Sequence, residues 1–287
     1  MISFRTAAGL NPRNARIIRI ARIAALACLY SVISPASMAA PTIEPGVIQV
    51  GTDLTYPPYN YFNDNKQPAG FDVEFMTMLA KNAGLKVKFL DTRFENLIIG
   101  VKGYKFDVVA STLYVKPERA QQVNFIPYMK TGVSIAVARA ASERPTSPAQ
   151  LCGKKVSSIK GAGWIANLKK VSETECAGKG PIDVREFPTS PEATQAVISG
   201  GVDAQMEDSS VLYAAARKTG GKIVISSYGN LYPVIVGLAL NQQNKELADI
   251  LQAALEKLRE NGAYLKLLNK YYVGAPTAAE FRAAMTP

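Results

Sequence analysis

Four short stretches combine chemically useful residue types with places where the chain would present them. The first, Gly51-Thr52-Asp53-Leu54-Thr55-Tyr56-Pro57-Pro58-Tyr59, sets an acid and an aromatic after a strand-like run, in a turn stiffened by proline. The same residues punctuate ordinary turns, so this stretch reads either way. The second, Ser111-Thr112-Leu113-Tyr114-Val115-Lys116-Pro117-Glu118-Arg119, brings hydroxyls, free backbone N–H groups and a guanidinium together. Such a set can hold both oxygens of a carboxylate; a helix cap followed by a solvated arginine has the same pattern. The third, Lys160-Gly161-Ala162-Gly163-Trp164, is a glycine-rich turn suited to an anion. It lacks the Gly-x-Gly-x-x-Gly and Gly-Lys-Ser/Thr patterns of nucleotide sites. The fourth, Asp203-Ala204-Gln205-Met206-Glu207-Asp208, ends a strand on two acids. Asp208 can receive an ammonium group or cap a helix starting at Ser209-Ser210. Together they form a clamp for an anionic group and a clamp for a cationic group, which suits a zwitterion.

The elements that must position these residues follow from the hydrophobic pattern. Residues 47–50 read as a strand. Residues 71–83 read as a helix carrying Phe75, Met76, Leu79 and Ala80 on one face, with Gly84 as its stop. Residues 85–89 alternate with period two, and a helix from 94 to about 101 leads to a strand over 106–110. After residue 150 the rhythm restarts, with strands over 155–159, 183–187 and 202–206 and helices over 164–175 and 192–199. Strands separated by helices imply parallel sheets, and two such sets imply two α/β lobes. A late strand over 233–240 precedes an amphipathic helix carrying Leu247, Ile250, Leu251, Leu255 and Leu258. Ligands of open α/β sheets sit beyond the carboxyl ends of strands, where the four stretches fall.

Composition narrows the function. The chain has 287 residues and no histidine, which removes Ser-His-Asp and Cys-His pairs, histidine-bound zinc and imidazole acid–base catalysis. Its net charge of +10 owes five arginines to residues 1–39, namely Arg5, Arg13, Arg16, Arg19 and Arg22, with no acid among them. The remaining basic residues are scattered, unlike a nucleic-acid surface. Those arginines, the apolar run 23–34 and Pro35-Ala36-Ser37-Met38-Ala39-Ala40 form a signal peptide pattern with a cut after Ala39. The apolar run is shorter than the ~20 residues that span a bilayer; a retained anchor and a lipoprotein signal ending at Cys28 are the alternatives. The mature chain is thus expected in the periplasm, where Cys152 and Cys176 read first as a disulfide and otherwise as two buried thiols.

The order of motifs resembles the bacterial polar-amino-acid-binding proteins that serve ABC importers. The resemblance runs over about residues 47–273. It rests on Gly51-Thr52-Asp53 with Tyr56-Pro57-Pro58, on Gly70-Phe71-Asp72-Val73, and on Phe106-Asp107-Val108-Val109 with Pro117-Glu118-Arg119. Gly200-Gly201-Val202-Asp203-Ala204 and Leu258-Arg259-Glu260-Asn261-Gly262-Ala263-Tyr264 through Tyr271-Tyr272 extend it. It implies the two-lobed type II periplasmic binding protein fold, each lobe a mainly parallel sheet flanked by helices. Residues 40–131 and 233–275 would form one lobe and 132–232 the other, with 276–287 as a tail. Two hinge strands near 131–134 and 230–234 would join the lobes. Arg119 would grip a ligand carboxylate with Thr112 and Gly163, and Asp208 would accept its ammonium with Ser111 assisting. Phe94 would stack on the ligand, while Asp53 and Tyr56 would read its side chain. The resemblance implies a monomeric binder with an inner-membrane permease as partner, and no catalysis, cofactor or metal. An enzyme on the same scaffold, dehydratase-like, and a sensing module for a separate receptor are the competing functions. Two departures stand out. Many members carry Ser-Gly-Met-Thr where this chain has Ser111-Thr112-Leu113-Tyr114, so a phenol replaces a small hydroxyl, and Trp164 is an unusual neighbour of the pocket.

Overall fold

The computed structural model describes residues 41–227 and 229–286; the expected signal segment lies outside them. In chain order the elements are β1 (Val47–Thr52), β2 (Thr55–Tyr56), β3 (Asn60–Phe62), β4 (Pro68–Ala69), α1 (Phe71–Asn82), β5 (Lys86–Asp91), α2 (Leu97–Lys102), β6 (Val108–Val109), α3 (Pro117–Ala120) and β7 (Asn124–Ala138). They continue with β8 (Lys155–Ile159), α4 (Ile165–Glu175), β9 (Asp183–Phe187), α5 (Ser190–Ile198), β10 (Ala204–Asp208), α6 (Ser209–Lys218), β11 (Ile223–Ile225), β12 (Pro233–Leu240), α7 (Lys245–Glu260), α8 (Ala263–Tyr271) and α9 (Ala278–Met285).

Nine strands form one mixed sheet in the order β5-β1-β6-β12-β7-β10-β8-β9, with β11 also on β7, and β2-β3-β4 form a small separate sheet. Its two ends are parallel, β5-β1-β6 on one side and β10-β8-β9 on the other. The middle is antiparallel, because β12 and β7 run back through it. The parallel character expected of each lobe is therefore confined to its outer strands. Strand β7 is the element that the local pattern hides. Its fifteen residues pair with β12 as far as Gly132, opposite Pro233, and with β10 from Val133, opposite Asp208. The partner changes within the segment 131–134. At that point a Cβ on Gly132 would meet the side chain of Asn230 at 2.3 Å, so only glycine lets the segment before β12 lie this close to β7.

Each set of helices covers its sheet for reasons visible in sequence. In α7, Leu247, Leu251, Ala254, Leu255 and Leu258 are buried on one face, and the Asn244 side chain caps the helix by accepting from Leu247 N. Helix α1 buries Phe71, Phe75, Met76 and Leu79, and Phe75 stacks on Tyr128 of β7 with ring centroids 4.7 Å apart. Strand β6 is only two residues long because Phe106 and Asp107 are used otherwise. The Phe106 ring fills the space beneath Gly51 and Gly100, where a Cβ would approach it to 2.4 and 2.5 Å. Asp107 accepts from the N–H groups of Ile43 and Gln49. The expected tail contains α9, capped reciprocally by Thr277 and Glu280 and tied to β7 by the Lys130–Glu280 ion pair at 2.8 Å. Cys152 and Cys176 form a disulfide, with Cα atoms 5.2 Å apart. Among the described residues, no helix is long and apolar enough to cross a membrane.

Candidate functional site

The four stretches singled out in the sequence converge where the carboxyl ends of β1, β6, β8 and β10 face one another. A cavity of about 10 Å³ lies there, lined by Tyr56, Phe94, Thr112, Tyr114, Ile159, Ala162, Gly163 and Trp164. That volume holds no more than one water, so the walls must part to admit an amino acid.

At one pole, Arg119 stands in α3, started by Pro117. Its guanidinium donates to the carbonyls of Tyr114 at 2.8 Å and Gly161 at 2.9 Å, and lies 5.7 Å from the Phe94 ring centroid. It is 8% exposed, and among the described residues it forms no ion pair. Burial lowers its pKa to about 10. A buried cation held only by neutral carbonyls calls for an anion. Close by, the Lys116 ammonium bonds the Gly163 carbonyl.

At the other pole, Asp208 ends β10 and caps α6, which is the cap reading of the sequence. Its Oδ1 accepts from Ser210 N and from the Tyr59 hydroxyl, both at 3.0 Å. Its Oδ2 accepts from the Tyr114 hydroxyl at 3.0 Å and the Thr131 hydroxyl at 2.9 Å. Burial raises the Asp208 pKa to about 6, and the phenols of Tyr59 and Tyr114, raised well above their ordinary range by burial, stay protonated. Beside it, Glu207 accepts from the Tyr56 hydroxyl at 2.6 Å. Tyr114 touches both poles, with its carbonyl on Arg119 and its phenol on Asp208. A short hydroxyl side chain at this position could not reach so far.

Several expected residues act one step back from the cavity. Asp53 is fully buried; it accepts from Phe94 N at 2.8 Å and the Thr55 hydroxyl at 2.7 Å, and pairs with Arg93 at 3.1 Å. Its carboxylate thus fixes the turn carrying Phe94. Ser111 Oγ accepts the N–H of Asp53 at 3.0 Å, tying the first stretch to the second. Thr112 borders the cavity, but its N–H and hydroxyl both donate to Asp72, at 2.7 and 2.9 Å. It holds φ +47°, a strained backbone for a β-branched residue. Trp164 donates its indole N–H to Ser158 at 2.9 Å and leaves its ring as a wall 5.6 Å from that of Tyr114. Phe94, Tyr56, Tyr114 and Gly163 border the cavity. Tyr59 and Thr131 belong to the cluster without having been given a site role from sequence, whereas Glu207 was read only as one of two acids ending the strand. Tyr59 closes the first motif and Thr131 opens the expected hinge, and these are the signals that pointed to them.

Comparison with known proteins gives the family of the chain. Residues 48–274 match the family model of bacterial extracellular solute-binding proteins, family 3. The chain is 29% identical over 236 residues to the L-arginine-binding protein of Pseudomonas aeruginosa, covering 78% of this chain and 87% of the relative. It is 26% identical over 231 residues to an L-cystine-binding protein of Escherichia coli, covering 80% and 84%. Among solved structures, an ancestral arginine-binding protein bound to arginine superposes with a TM-score of 0.72 at 30% identity, covering 79% of this chain and 98% of that one.

Proposed function

We propose, on the premise that this chain belongs to the bacterial extracellular solute-binding proteins of family 3, that it captures a free amino acid or close analogue between its lobes and delivers it to an ABC importer. The observation that carries this reading is the pair of opposite buried charges, Arg119 and Asp208, at the two ends of Tyr114 beside one cavity. A zwitterion supplies the two groups that these poles lack or share. Its carboxylate would replace the carbonyls on Arg119, aided by donors from Thr112 and Gly163. Its ammonium would displace the Tyr114 phenol from Asp208. Phe94 and Tyr56 would flank the side chain, with Asp53 and Ser111 holding that wall in place.

Residues 40–131 with 233–275 make one lobe in this proposal and 132–232 the other, hinged at 131–134 and 230–234. The change of β7 partners at Gly132–Val133 supports that division. The protein works as a monomer in the periplasm after removal of residues 1–39, and no chemical step is part of its action. The relatives named above as binding proteins support that reading.

Calorimetry with the best ligand from an amino-acid thermal-shift panel tests the site. Arg119→Lys keeps the charge but loses the planar two-point grip, and Asp208→Asn removes the ammonium acceptor. Each should weaken binding by about 2–5 kcal/mol, roughly thirtyfold to several thousandfold. Near-wild-type affinity in both variants would refute the clamp.

A further inference from the structure

The clamp uses Asp208 and leaves the acid beside it without a task. Glu207 is fully buried. Its Oε1 accepts from the Tyr56 hydroxyl and, at 3.1 Å, from Asp208 N, but its Oε2 has no hydrogen-bond partner. The other buried acids of this region are answered in full: Asp53 has Thr55, Phe94 and Arg93, and Asp208 has four donors. The titratable groups near Glu207 are Tyr56 of β2, Asp208 of its own strand and Tyr114 ahead of α3. Ser190 of α5 adds a hydroxyl, and Ser134 of β7 stands opposite it in register. No cation pairs with it among the described residues. Burial, the largest cause, raises its pKa to about 8, so near neutral pH it mostly holds its proton.

Two buried carboxyl groups, Glu207 and Asp208, thus stand side by side at the end of β10, and neither pairs with a cation among the described residues. A neutral zwitterion balances Arg119 and Asp208 and changes nothing for Glu207. A ligand with a second positive group satisfies the remaining oxygen and replaces the proton. Glu207 itself lines no cavity among the described residues, but the residues around it border two. Its partner Tyr56 lines the small cavity, whereas Thr55 and Ser190 line a groove of about 840 Å³ between β2–β3 and α5–α6. Resting on the amino-acid reading above, we infer that the site selects a cationic amino acid, whose distal ammonium or guanidinium is received by Glu207.

The test is titration calorimetry of the mature protein with arginine, lysine and ornithine against citrulline, glutamine and norleucine. Citrulline is the neutral isostere of arginine. At least one cation should bind more than about tenfold tighter than its neutral counterpart. Its binding at pH 7, repeated in phosphate and Tris, should release a proton that neutral ligands do not. Glu207→Gln should shrink the ratio to below about threefold and abolish the release. Neutral and cationic ligands binding alike, or an unchanged ratio in Glu207→Gln, would overturn the inference and leave the amino-acid reading standing. If no amino acid binds, both fall. Should Glu207→Gln not fold, the wild-type ratio and proton release decide by themselves.

Discussion

Asp72 and Asp208 are fully buried carboxylates that each accept four hydrogen bonds, and burial lifts both to a pKa of about 6. Their donors differ in origin. Asp72 draws on Tyr128, Asn60 and both the N–H and hydroxyl of Thr112, all within residues 40–131. Asp208 draws on Ser210 beside it and on Tyr59, Tyr114 and Thr131 from that other segment. In the proposed division, one carboxylate staples a lobe to itself, and the other joins two parts that would separate to admit a ligand. On that proposal the same chemistry serves the fold in one place and recognition in the other, and chain connectivity decides which.

The largest effect that would break this comparison is on stability. Asp72→Ala leaves four donors, at least three fully enclosed, without an acceptor. Unsatisfied buried groups cost about 1–3 kcal/mol each and do not add fully, so a loss of roughly 3–5 kcal/mol is expected in urea unfolding. Asp208→Ala should cost less than half of that, because its donors can turn to water once the cleft opens. Equal losses would show that the Asp208 cluster is as much a part of the fold as the Asp72 cluster.

The disulfide gives the comparison a second staple, wholly within residues 132–232. It closes a loop of 24 residues, worth about 3 kcal/mol in the chain-entropy account. Cys176 ends α4, roughly 16 Å along the helix from the turn at Gly163 and Trp164. Replacing both Cys152 and Cys176 by serine should therefore lower the melting temperature and leave ligand affinity within about twofold. A large loss of affinity with little loss of stability would place this bridge with the recognition elements instead.

How far these roles were legible depended on whether the signal was local. Strands β8, β9 and β12 run as the alternation and burial pattern predict, since flanking turns mark their ends. Strand β7 escaped because its pairing changes partner midway and Pro127 and Gly132 interrupt the pattern that would mark one strand. The small sheet β2-β3-β4 escaped because strands of two or three residues carry no period. In the site, Arg119 and Asp208 were legible as chemistry at strand ends. Asp53, Ser111 and Thr112 had the right address but spend their polar groups on Phe94 N, Asp53 N and Asp72. Glu207 was visible as an acid, yet its partner Tyr56 lies 151 residues away in sequence. No spacing rule reaches that far.

The smallest effect is the sharpest, because it removes a single oxygen atom at each carboxylate. Tyr128 and Tyr59 are both fully buried, and their hydroxyls donate to Asp72 at 2.6 Å and Asp208 at 3.0 Å. Phenylalanine keeps the ring, so packing such as the Phe75–Tyr128 stack survives in either variant. A hydrogen bond to a charged group is worth about 1.5–3 kcal/mol, and the shorter bond of Tyr128 belongs to a network that closes with the fold. Tyr128→Phe should therefore lose about 1.5–3 kcal/mol in urea unfolding at pH 7 and keep its ligand affinity. Tyr59→Phe should lose less than about 1 kcal/mol, since Asp208 keeps Tyr114, Thr131 and Ser210. It should instead alter affinity, because Tyr59 holds the carboxylate that would receive the ligand's ammonium in the proposed clamp. The two variants would then move in opposite columns of the same pair of measurements. If Tyr59→Phe were the more destabilising and left affinity untouched, the division between the two carboxylates would fail.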